Sequence, residues 1–121
     1  MTIEIPNNEL VDTGDVVIPL EVNPRYDITY KVDGESYHFY ITWNEHDQSW
    51  YLDLFGVSNG TDIKGIKLVS GVNLTKPFNI PNWGALYIID QNGKAADPDY
   101  DNIGTRYIMY YVPVSNTEYI I

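Results

Sequence analysis

The chain has 121 residues, 44% hydrophobic and 14% aromatic, which suits one domain with a real core and is too apolar for a disordered chain. Seventeen acids against seven bases give a net charge of −10, which repels phosphate backbones and argues against nucleic-acid binding. There is no cysteine, so disulfide and thiolate chemistry are excluded, and no apolar run is long enough to insert into a membrane.

The first 21 residues hold Glu4, Glu9, Asp12, Asp15 and Glu21 and no base. Residues 1–15 read as an acidic arm, either solvated or ordering on a basic partner. Met1-Thr2-Ile3-Glu4 lacks the basic start of a signal peptide, so synthesis in the cytoplasm is expected. Val16-Val17-Ile18-Pro19-Leu20 is a short β-branched run. Pro19 has no N–H for a ladder, so this strand is expected to lie at a sheet edge or to stop there. Asn23-Pro24 then turns the chain.

The strongest signal is a meander from Tyr26 to Phe55. Tyr26, Ile28, Tyr30 and Val32 alternate with Asp27, Thr29 and Lys31, the period of a half-buried strand. Asp33-Gly34 tolerates positive φ and predicts a tight reversal. Tyr37, Phe39, Ile41 and Trp43 form the next apolar row, and Trp50, Leu52 and Leu54 the third. Three strands bury a face that one hairpin would leave wet.

After the turn at Ser58-Asn59-Gly60, a strand over residues 63–69 is expected, with Gly65 as a bulge or a close approach. Gly71-Val72-Asn73-Leu74 reads as its continuation after a bend. Pro77 and Pro81 make a loop, and Gly84 to Ile89 reads as a central strand covered on both faces. Residues 91–104 form a polar connection. Thr105 to Val112 is the last strand, with Tyr107, Met109 and Tyr111 on one face. Pro113 ends it, and the tail 114–121 closes on the apolar Tyr119, Ile120 and Ile121. Short strands separated by turns define an all-β fold: a single antiparallel domain over residues 16–113, barrel or sandwich, on a β-meander core.

No catalytic set emerges. His38 is a half-exposed strand residue, and His46 sits in an acidic turn without metal-ligand spacing. Asp97, Asp99 and Asp101 resemble the opening of a calcium loop. Asn102 stands where glycine is wanted, though, and Ile108 where the closing glutamate belongs, so an acidic turn is the better account. Neither a cofactor nor a metal is expected. Trp43 and Trp50 sit in phase with core positions, whereas Trp83, between Pro81-Asn82 and Gly84, is the best candidate for an exposed aromatic. Asp53 and Arg106 are charged residues within strands and suggest a cross-sheet pair, or a snorkelling Arg106.

Ile18-Pro19-Leu20 with Asn23, Gly34 with Tyr37 and Phe39, Trp43-Asn44-Glu45 and Trp50-Tyr51-Leu52-Asp53-Leu54 occur in that order. Gly65-Ile66-Lys67-Leu68, Gly71 to Leu74, Gly84 with Leu86 and Asp90, and Gly104-Thr105-Arg106 follow. This succession resembles the plug proteins of phage tail baseplates, from about Val16 to Val112; the Trp-Asn-Glu to Trp-Tyr-Leu-Asp stretch is its most specific part. The resemblance implies a small all-β structural part of the virion, at the tail hub, that helps close or initiate the tail tube. It implies no catalytic residues. Its implied partners are hub, tube or spike subunits, met in several copies per particle. Candidate contact residues are Val16, Val17, Ile18 and Leu20 of the edge strand, Trp83, and Tyr119, Ile120 and Ile121. The alternative is a carbohydrate-binding domain with Trp83 and nearby tyrosines as its platform. A metal enzyme built on His46 and the Asp97 to Asp101 loop is a further rival.

Overall fold

The computed structural model describes residues 15–119. Among these, seven strands form two antiparallel sheets: β1 Val16–Ile18, β2 Arg25–Val32, β3 Glu35–Asn44, β4 Ser49–Gly56, β5 Asp62–Lys67, β6 Ala85–Asp90 and β7 Tyr107–Val112. A 3-10 helix over Val114–Tyr119 follows. One sheet has the order β2-β3-β4-β5 and the other β1-β7-β6. The sheets do not close on each other, so of the two expected architectures the sandwich is the one observed.

The meander forms as its alternation predicts. Asp33 and Gly34 take φ of 48° and 81°, the double left-handed turn that matches the twist of a hairpin. They set the register Tyr30↔Tyr37, Ile28↔Phe39 and Tyr26↔Ile41, and β4 continues it with Phe39↔Leu54 and Ile41↔Leu52. The inward rows of both sheets meet in one cluster. Phe39, Ile41, Leu52 and Leu54 come from the larger sheet, and Ile18, Leu86, Ile88, Met109 and Tyr111 from the smaller. β1 lies at the edge of its sheet and stops before Pro19, as the missing N–H requires.

Four expectations need correction. In β5, Ile63 and Ile66 both pair inward, with Leu54 and Leu52, because two residues, Lys64 and Gly65, stand opposite Asp53 alone. Gly65 takes φ of 76°, and its N–H is received by the Asp53 carboxylate at 2.8 Å. The bulge was expected, but it shifts the alternation by one residue. It also engages Asp53 locally, so Asp53 does not pair with Arg106. Gly71 to Leu74 is not a strand. Gly71 at φ 81° breaks the extension, and the segment instead donates from Gly71 N to Ile88 O and from Leu74 N to Leu86 O. β6 is accordingly the last strand of its sheet, flanked by that irregular segment, with one face open: Ile89 is 39% exposed.

Arg106 pairs with Asp90. Its Nε and Nη2 reach the two carboxylate oxygens at 2.8 and 3.0 Å, and the N–H groups of Asn92 and Ala96 donate to the same carboxylate. The guanidinium foremost, with the two backbone donors, holds the Asp90 carboxyl below the usual carboxylate range despite its burial. A depressed folded-state value stabilises the fold above the unfolded value of about 3.9, and that contribution is lost as pH falls below it. Asp90→Asn is therefore expected to melt at lower temperature than the parent at pH 7 and to show a flatter loss of stability below about pH 4. Thermal melts from pH 7 to pH 2 read both effects. Parallel curves for the two proteins would mean that Asp90 does not link acid to unfolding.

Candidate functional site

Two surfaces stand out once the strands are in register. The first is the outer face of the β1-β7-β6 sheet. Alternation sends Val17 outward from β1, Ile108, Tyr110 and Val112 from β7, and Tyr87 and Ile89 from β6. Val17, Tyr110 and Tyr87 form one cross-strand row, and Ile108 and Ile89 another. None of these side chains is charged. Val17 is 49% exposed and Ile89 39%. A shallow groove of about 370 Å³ runs over this face, lined by Asp15, Tyr87, Ile89, Gln91, Tyr110 and Val112. An antiparallel sheet that faces water on one side is normally polar there, so an aromatic and aliphatic outer face is a candidate contact surface. The larger sheet shows the usual pattern. Its outward rows run Arg25, Thr42, Tyr51 and Lys67, then Asp27, Tyr40 and Asp53, then Thr29, His38, Phe55 and Asp62.

The second surface lies at the end of the sandwich where β3 meets β4. The Trp50 indole is wholly buried and donates to Asp99 O at 2.9 Å. Tyr100 stacks on it at 5.3 Å, and Trp43 meets both rings edge-on. Trp43, Tyr100, Pro24, Glu45 and Gln48 enclose a groove of about 390 Å³. Trp50 is the core tryptophan that its phase predicts. Trp43 shares the phase but sits where the sheet ends, so it is only half-buried.

The opposite end is pinned through Asp33. Its carboxylate accepts from the Tyr111 hydroxyl and from Val114 N, the latter at 2.9 Å. Burial first, and the Asp33 carboxylate next, push the Tyr111 phenol well above its ordinary value.

The contact residues expected from sequence are scattered. Val17 points out and Val16 is half-buried, while Ile18 is buried and Leu20 packs against the core. Trp83 is not the exposed aromatic that its loop suggests. It packs edge-on against Tyr37 and Tyr111 at 4.9 and 4.8 Å and donates to Thr75 Oγ1 at 2.8 Å. Gly84 is the reason: its backbone lies so close to β7 that a Cβ there would be 1.8 Å from Val112 O, which draws Trp83 inward. Tyr119 ends the 3-10 helix, and Ile120 and Ile121 lie outside the described residues, as does the arm before Asp15. Tyr87, Ile108, Tyr110 and Tyr100 were missed. The alternation of the last strand already placed Ile108, Tyr110 and Val112 on one face together with Arg106, whereas nothing local marks Tyr100 in its acidic loop.

His38 shares a hydrogen bond with Thr29, and His46 is exposed in its turn. Asp99 uses both carboxylate oxygens on Asn102, and Asp97 lies 3.4 Å from Ser70 N, the bonding of an acidic turn. Among the described residues, no group of three or more His, Cys, Asp or Glu side chains is placed to hold a metal ion.

The fold is a small antiparallel sandwich with apolar and aromatic rows on one sheet face and an aromatic groove at one end. The chain belongs to the family described as "Cyanophage baseplate Pam3 plug gp18", which matches residues 16–115, and it is thus a baseplate plug-like protein. No curated protein matches it.

Proposed function

We propose that the chain is a hub-associated subunit of a phage tail baseplate that helps close or initiate the tail tube, and that it works through protein contacts rather than a reaction. Family membership supports the baseplate setting. The observation that carries the contact role is the outer face of the β1-β7-β6 sheet, uncharged in a chain of net charge −10. A partner presenting its own apolar surface covers the strand rows of this face, with a hydrogen-bond donor set against the Asp15 carboxylate that lines the groove. Hub, tube or spike subunits are the partners, in several copies per particle. The edge strand β1 offers them its outer backbone, and the acidic arm 1–15 seats on a basic surface among them. The protein is made in the host cytoplasm and ends in the virion.

Removing the gene from its phage is expected to leave lysates whose particles lack a closed baseplate and whose titre falls to the background of the assay. Electron microscopy of the particles checks this. Complete tails with normal infectivity would overturn the proposal.

A further inference from the structure

The groove at the β3-β4 end combines ring faces that meet at an angle with a hydrogen-bonded carboxylate. Trp43 and Tyr100 stand 5.4 Å apart with their planes at 62°, both braced by the buried Trp50. Glu45 is held at the rim. Trp43 Nε1–H donates to its Oε1 at 2.9 Å and Gln48 Nε2 donates to its Oε2 at 3.1 Å. Each oxygen keeps a lone pair for a further donor. The three segments that build the groove also carry Glu21, Asp47, Asp99 and Asp101, against Arg25 alone. Arg25 is in register with Thr42 and Tyr51, on the outer face of the large sheet, whereas Trp43 is in phase with the inward row. Glu45 is the one charged residue among those that line the groove, beside Pro24, Trp43, Gln48 and Tyr100, so the groove is aromatic with a single carboxylate at its rim.

We propose that this groove is a socket for a basic side chain, arginine above all, carried by a neighbouring protein. A guanidinium fits it for physical reasons. It is planar and weakly hydrated, so it lies against an indole or phenol face while its in-plane N–H groups reach a carboxylate. The chain's net charge of −10 raises the local concentration of cations. A glycan would rather have a flat ring platform than a corner of two rings at 62° with a carboxylate at its edge. The inference deepens the contact-protein reading and rests on it only for the occupant being part of a protein.

The test uses the isolated, isotope-labelled protein and NMR at constant ionic strength. The added ligand is N-acetyl-arginine amide, N-acetyl-citrulline amide of the same shape without the charge, or one of a panel of mono- and disaccharides. The arginine amide is expected to shift the Trp43 indole N–H and the Gln48 side-chain signals saturably, with a dissociation constant on the order of 10 mM. The Trp83 indole signal is expected to stay in place. Glu45→Gln keeps an acceptor for the Trp43 N–H and removes the charge, so it is expected to weaken binding about threefold to fivefold with unchanged melting. Equal shifts from the citrulline amide, or no saturable shift up to about 100 mM, would overturn the socket. Saturable shifts from a sugar alone would replace it with a glycan site. These measurements need no phage, so a failed titration leaves the baseplate reading standing, and a failed gene-removal experiment leaves the socket standing.

Discussion

A Tyr110→Glu protein is expected to fold normally and to be lost from phage particles. Tyr110 lies at the middle of the outer face of the small sheet, between Val17 and Tyr87. Its side chain is half-buried on that face and outside the core cluster, so the change alters folding stability by no more than about 1 kcal/mol. In a covered interface the same carboxylate is stranded among apolar groups without a partner. That costs about 3 kcal/mol or more, roughly a hundredfold in affinity. Plaque titre in a strain supplying only the variant is expected to fall by a similar factor. Thr29→Glu, on the charged outer face of the other sheet, is the control and is expected to leave titre unchanged. A well-folded Tyr110→Glu protein that restores full titre would show that this face stays bare in the particle.

Trp50→Ala is expected to produce the largest loss of stability in the chain, about 3–5 kcal/mol by urea unfolding. Trp50 is the largest fully buried side chain, and three separate elements depend on it. Its ring meets Trp43 of β3 edge-on within the core cluster, Tyr100 stacks on it, and its N–H ties down the loop at Asp99. Alanine removes all three and leaves Asp99 O without its donor. A domain of this size holds about 5–15 kcal/mol in total, so the variant is expected to be partly unfolded at 37 °C. Trp50→Phe keeps a ring under Tyr100 and loses the hydrogen bond, so about half the damage or less is expected. A loss below about 1 kcal/mol for the alanine protein would mean that the loop repacks over the gap and that the groove above it is not rigid.

The parts of the fold legible from sequence are those fixed by local chemistry. Asp33-Gly34 names its own turn, the Tyr26 to Leu54 alternation names three strands and their inward rows, and Pro19 names the end of an edge strand. Gly65 announces a bulge, but not that two residues would face one and move Ile66 into the row of Ile63. Gly71 to Leu74 has strand-like residues, and only its position beside β6 decides that its N–H groups bond irregularly. The contact surfaces were harder. Trp83 looks exposed until Gly84 is seen pressed against β7, and Tyr100 looks like a loop residue until it is seen lying on Trp50. Asp90 and Arg106 are 16 residues apart, and their pairing rests on the β6-β7 register that no local pattern specifies.

The knot of hydrogen bonds at Asp33 has a mechanical meaning. The chain leaves β7 through Pro113, and at the next residue Val114 N is held by the Asp33 carboxylate, which the Tyr111 hydroxyl also grips. Tension applied to the end of the chain therefore does not begin by unzipping β7 from β6 one pair at a time. It must first break the hold of the Asp33 carboxylate, which ties the exit of β7 to the turn of the β2-β3 hairpin. A pull on the residues after Pro113 would thus be felt at Asp33 before it reached the β6-β7 pairs.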